Sequence, residues 1–195
     1  MRLQALVIMA AVETGAWAAE AGRTEARSVT VCTSGYAAVP DAYAAQKMAS
    51  KIFSTVGVEI EWPAPGSCPT FSGVIKISFT DRAPKAASAG ALAYARPHEG
   101  THIVVLYERV KGMQSGCTPQ LLAYVLVHEI THILQAISRH SESGIMKAHW
   151  DPADYDQIRR KALAFTAYDV ELIHLGLDAR AARLAGKGPV LVAAR

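Results

Sequence analysis

The stretch HEITHILQAISRHSESGIMKAHW (128–150) decides how this chain is read. It opens on H-E-x-x-H, a pattern that also occurs as HEGTH at 98–102. A zinc site needs neutral imidazoles about 2 Å from the metal and converging on one point. Residues i and i+4 of a helix share a face, so the pattern has chemical meaning only on a helix. HEITH has one: LLAYVLV (121–127) precedes it and ILQAI (133–137) follows. His128 and His132 then converge, and Glu129 lies one position along, within reach of a bound water. HEGTH lacks that setting. Pro97 precedes it, Gly100 sits inside it, and a β-branched strand follows at once. It reads as a polar turn between strands, where His98 at most lines a cleft.

Two features downstream add weight. His140 comes eight residues after His132, and Met146 lies in a glycine-containing turn, SESGIM (141–146). Alone, His140 would read as surface and Met146 as core. Behind HEITH their joint placement points to zinc, with His140 as a third ligand.

On these residues the chain resembles the metzincin zinc metallopeptidases, nearest to the matrixin branch. The family pattern is H-E-x-x-H-x-x-G-x-x-H followed by a Met-turn, and His128, Glu129, His132, the pair His140-Ser141 and Met146 match it. The resemblance implies zinc held by His128, His132 and His140, Glu129 as general base, and a peptide or protein substrate. It departs in one place. The family glycine falls at Gln135 and the third histidine at Ser138, so His140 arrives two residues late and the helix must end differently. Two rival readings stand beside it. One is a glutamate-ligand (gluzincin) zinc peptidase with Glu171 as third ligand. The other is a non-catalytic secreted zinc-binding protein, against which the intact Glu129 argues. His149, crowded by Trp150 and Asp151, reads as structural.

The 195 residues, half of them apolar, suit one domain with a full-sized core. Arg2, the apolar run LQALVIMAAV (3–12) and Ala16-Trp17-Ala18 read as a signal peptide over 1–18, leaving 19–195 as a single zinc metallopeptidase-like domain, secreted or periplasmic. The run is too short to span a membrane, so no stable insertion is expected after cleavage. The net charge of +3, without a dense basic block, gives no argument for nucleic acid. A monomer is expected.

Along the chain, strands are predicted at 28–33, 58–62, 74–79, 91–97 and 101–110. Helices are predicted from Pro40-Asp41 toward Gly57, from a Thr118 N-cap, and from Asp151-Pro152 as one long final helix, broken near Gly176 or running into the 180s. The class is α+β: a mixed twisted sheet of about five strands with an active-site helix, a Met-turn and a C-terminal helix. ALAYARP (91–97) is expected to be an edge strand rimming the site over 91–96 and offering main-chain bonds to substrate. Of three cysteines, Cys68 and Cys117 lie in loops and are expected to pair, with Cys32 free in its strand.

Overall fold

The apolar run at 121–127 makes a helix that is buried on every side, and the other elements are arranged around it. A computed structural model describes residues 27–35, 39–81, 90–95, 101–113 and 117–186. The signal segment 1–18 and His98, Glu99 and Gly100 of HEGTH lie outside the described residues. In chain order the elements are β1 (Arg27–Ser34), α1 (Ala42–Ser54), β2 (Val58–Glu61), β3 (Ile75–Thr80), β4 (Ala93–Ala95), β5 (His102–Leu106), α2 (Tyr107–Met113), α3 (Thr118–Gln135), α4 (Pro152–Arg159) and α5 (Ala167–Leu184). Among the described residues no helix is long and apolar enough to cross a membrane.

The five strands form one mixed sheet in the order β2-β1-β3-β5-β4. β1 runs parallel to β2 and β3, β3 parallel to β5, and only β4 is antiparallel, pairing Ala93 with Val105 and Ala95 with Ile103. Alternation sends Val29, Val31, Ile75, Ile77, Ile103 and Val105 into the core beneath α1 and α3. The other face carries groups such as Ser28, Lys76 and Ser78, so the domain has two layers.

Several boundaries differ from the sequence reading. The strand predicted over 101–110 stops at Leu106, and Tyr107–Met113 turns into a short helix that buries Tyr107 and Val110. A run of apolar residues reads alike in both states, and here length decides. Thr118 lies inside α3, whose N-cap is Cys117 without a side-chain cap bond. The long final helix is two helices. Asp151 caps α4 with a capping box to Asp154, and a second box, Thr166 with Asp169, starts α5 afresh.

The disulfide joins Cys32 to Cys68, with α-carbons 5.8 Å apart, and Cys117 is free. This corrects the expected Cys68–Cys117 pair. Cys32 alternates with Val31, so it faces away from the helices, toward the side that the loop after β2 covers. A strand cysteine need not belong to the helix-covered core.

Gly176 does not break α5. It lets α5 cross α3 at backbone distance, since a Cβ there would lie 1.8 Å from the Leu134 carbonyl oxygen. Gly→Ala inside a helix ordinarily stabilises by about 1 kcal/mol. At this crossing Gly176→Ala should instead cost about 3 kcal/mol through overpacking, whereas Gly90→Ala, which meets nothing within 4 Å, should change stability by less than about 0.5 kcal/mol. Urea unfolding of the two variants checks this, and a stabilised Gly176→Ala would refute the close crossing.

Candidate metal centre

The histidines of HEITH occupy the buried middle and end of α3. His128 and His132 are 9% and 6% exposed, one turn apart on the same face. His128 Nδ1 lies 2.8 Å from the Ile145 carbonyl oxygen and His132 Nδ1 3.1 Å from that of Ile137. A carbonyl only accepts, so each Nδ1 carries the proton and donates it, and each Nε2 presents a lone pair. These two Nε2 atoms are 3.1 Å apart. Two neutral acceptors at that distance repel unless a cation lies between them. Two imidazole nitrogens on one tetrahedral zinc, each at 2.0–2.1 Å, stand about 3.3 Å apart. The separation therefore fits the ion, and the carbonyl partners are those that fix the tautomer of a ligating histidine.

His140 completes the group. A ligand atom from each of His128, His132 and His140 lies within 4.8 Å of the others, and the His140 ring stands 5.3 Å from that of His128 and 4.9 Å from that of His132. The late position of His140 has a local explanation. α3 ends on Ala136 in the left-handed conformation (φ 55), one position after Gln135, where the motif has glycine. The turn back toward the site starts later, and the third histidine follows later too.

Asp169, which the sequence reading passed over, anchors that return. Its side chain is fully buried. Ser141 Oγ donates to Asp169 Oδ1 at 2.5 Å, and Arg139 Nη1 reaches the same oxygen at 3.3 Å. Thr166 Oγ1 donates to Oδ2 at 2.6 Å, closing the cap of α5. Arg139 also lies over the Tyr168 ring, 4.6 Å from its centroid. Both neighbours of His140 are thus tied to the start of α5. A S/T-x-x-D capping signal, TAYD (166–169), was present in the sequence and marks this residue.

The turn that runs through Gly144 to Met146 closes the other side. Gly144 adopts φ 76, and a Cβ there would lie 2.5 Å from the Ala164 carbonyl oxygen, so glycine is required. Ser141 N–H donates to the Met146 carbonyl at 2.8 Å, and Met146 is wholly buried in the core. Trp150 sets its ring edge-on to His128 at 5.8 Å, and its Nε1 shares the Ile145 carbonyl at 3.3 Å. Lys147 bridges Asp151 and Asp154, holding the turn to α4.

Glu129 is 8% exposed and accepts from the Ala95 amide of β4. In the β4–β5 pair Leu106 N–H donates to the Leu92 carbonyl, so by alternation the peptide groups of Tyr94 face β5 and those of Ala93 and Ala95 face outward. β4 is the outermost strand, as expected, and runs beside the site. The expected strand of 91–97 shrinks to Ala93–Ala95, residues 96 and 97 lying outside the described residues. Glu171 is exposed on α5 and does not join the histidines. His102 begins β5, exposed and outside the cluster, and His149 is exposed.

No family model matches the chain, and no curated protein matches it. Among solved structures it is similar to the crystal structure of archaemetzincin from Methanopyrus kandleri, with a TM-score of 0.56 and 14% identity, over 81% of this chain and 99% of that one. At that identity the likeness is one of fold.

Two predictions follow from the site's anchoring and its charge. Losing an outer partner of a metal ligand typically weakens binding by about 10–100-fold. Asp169→Ala should do so here, measured by competition with a chromophoric chelator. Wild-type zinc affinity in a folded Asp169→Ala chain would contradict the anchoring role.

Burial, with the neighbouring His132 adding to it, pushes His128 down to about 3, and burial pushes His132 down to about 4. Burial holds the Glu129 carboxyl up at about 8. The native state therefore keeps the Glu129 proton longer than the unfolded chain does. This group's stabilisation is present below about 4.5 and is lost as pH rises through about 8. The histidines act in the opposite sense, their contribution being lost as pH falls from 6.5 toward 4 and then 3. In the chelated chain, Glu129→Gln should gain stability over wild type progressively between about pH 5 and pH 8. Parallel pH–stability curves from urea unfolding would contradict this.

Proposed function

We propose that this protein is a zinc-dependent peptidase that hydrolyses peptide bonds with Glu129 as general base. The observation that carries the reading is the pair of His128 and His132 Nε2 atoms, 3.1 Å apart with both Nδ1 protons committed to carbonyls, joined by His140 and flanked by a buried carboxyl. The fold likeness to archaemetzincin agrees with the metzincin resemblance of residues 128–146. The pair His140-Ser141 is the matrixin-like element, and Ser141 serves as a tie to Asp169.

Three neutral imidazoles are the donor set of catalytic zinc, and the ion when bound supplies an acidified water and a Lewis acid for the scissile carbonyl. The chain's own groups do the rest. Glu129 takes a proton from the attacking water at a carboxylate oxygen and delivers it to the leaving amine. The Ala95 amide orients that carboxylate and so ties the base to the strand at the rim. The outward groups of β4 suit an extended peptide added to the sheet edge, a mode in which main-chain bonds give affinity. Because the Ala95 amide is engaged by Glu129, the bonds on offer are the Ala95 carbonyl and the peptide groups of Ala93. Trp150, edge-on to His128, keeps that side of the imidazole apolar.

Export completes the proposal, with residues 1–18 as signal peptide and a peptide or protein substrate met outside the cytoplasm. No observation favours Glu171 as a ligand. A binding protein without turnover would have no use for a buried, hydrogen-bonded Glu129.

Glu129→Gln should retain one zinc per chain and lose roughly 100- to 10,000-fold in peptidase kcat, the span of general acid–base assistance. His140→Ala should lose tight zinc binding, and Glu171→Ala should keep both zinc and activity. Zinc content by mass spectrometry and hydrolysis of a quenched-fluorescent peptide library check these outcomes. Full zinc affinity in His140→Ala, together with its loss in Glu171→Ala, would replace the reading with the glutamate-ligand one.

A further inference from the structure

A concavity lies between α1, the end of β1 and the loop after β2. Its volume is about 400 Å³, and none of its lining residues belongs to the histidine cluster. Ligand cavities typically run from about 300 to 1,000 Å³. Its walls are two aromatic side chains, Tyr43 and Trp62, with Pro63 and Pro65 beside them. Gln46 lines it, the residue as a whole being 8% exposed, and its side-chain amide faces the open space rather than being sealed in the core. An amide at the wall of a concavity can donate to and accept from whatever fills it.

The chemistry of the lining narrows the occupant. Gln46, Ser50 and Thr33 each carry groups that donate and accept, which suits hydroxyls. Among the described residues no carboxylate lines the cavity and Lys47 is its one cation, 5.7 Å from the Tyr43 ring centroid. The Trp62 indole N–H is already spent on Ser50 Oγ at 2.9 Å. That bond fixes the ring plane and removes the donor with which an aromatic groove would hold the carbonyls of a proline-rich peptide. What Trp62 offers a ligand is therefore its ring surface. The Cys32–Cys68 disulfide pins the loop that carries Trp62 to the strand that carries Thr33, so the walls stand preformed.

We infer that this cavity binds a saccharide ring, stacked on Trp62 and Tyr43 and hydrogen-bonded to the Gln46 amide. This goes beyond the peptidase reading and does not rest on it.

The test uses the full chain on an array of neutral, amino and uronic-acid oligosaccharides, with any retained glycan then titrated by calorimetry. Binding of a subset should weaken at least tenfold in Trp62→Ala, in Gln46→Ala and in Tyr43→Ala. Tyr43 is 65% exposed, so its variant keeps the test valid if Trp62→Ala fails to fold. Zinc content should be unchanged in each folded variant, which separates this site from the metal centre. Retention of no glycan would overturn the inference, as would glycan affinity unchanged in the folded variants. A proline-rich peptide bound in place of glycans, and lost in the same variants, would also overturn it.

Discussion

The hydrogen bond from His128 Nδ1 to the Ile145 carbonyl is the constraint on which the site depends. It joins the buried helix α3 to the turn that follows it and leaves the Nε2 lone pair pointing where that of His132 points. Everything near it serves the position of that carbonyl. Gly144 permits the turn, Trp150 bonds the same oxygen, and the Ile145 amide is itself held by the Ala164 carbonyl at 3.0 Å. On the far side Asp169 does the same for the His140 segment through Ser141, Arg139 and Thr166. The contact of Gly176 with the backbone at Leu134 brings α5, and with it Asp169, close enough to do so.

The electrostatics of this centre run against the stability of the chain alone. Two imidazoles are kept neutral by burial while their lone pairs converge, and a carboxyl is held protonated up to about 8. The converging lone pairs are unfavourable without a cation and favourable with one, and a bound dication would also shift Glu129 toward its ionised form, reversing the local preference for neutral groups. The cost is tolerable because the surrounding apolar packing is extensive. α3 is buried from Leu121 to Gln135, and Tyr124 and Trp150 cover the helix face next to His128. A functional site is where local rules are expected to be broken and compensated elsewhere.

Much of this was legible in the sequence. HEITH lies in a run with no glycine or proline and long enough for a helix, which alone places His128 and His132 together. HEGTH fails the same test. The edge position of β4 followed from the proline at 97, and Asp151-Pro152 signalled a helix start. His140 was legible only through the motif, since spacing does not say how eight residues fold back. The misses share a cause. The pairing of Cys32 depends on which loop crosses the outer sheet face, and the strand-to-helix switch at Tyr107 depends on what packs against Val110. Both are tertiary facts. Asp169 was different. Its capping signal was local, but its ties to the His140 segment span about thirty residues and have no periodic trace.

The most direct test of the account is X-ray absorption at the zinc edge on the full chain loaded with one equivalent of zinc. Three histidine nitrogens and one light atom from solvent, at about 2.0–2.1 Å, are the predicted shell. A shell with two histidines, one with a sulfur ligand from Cys117, or one filled by four protein ligands would contradict it.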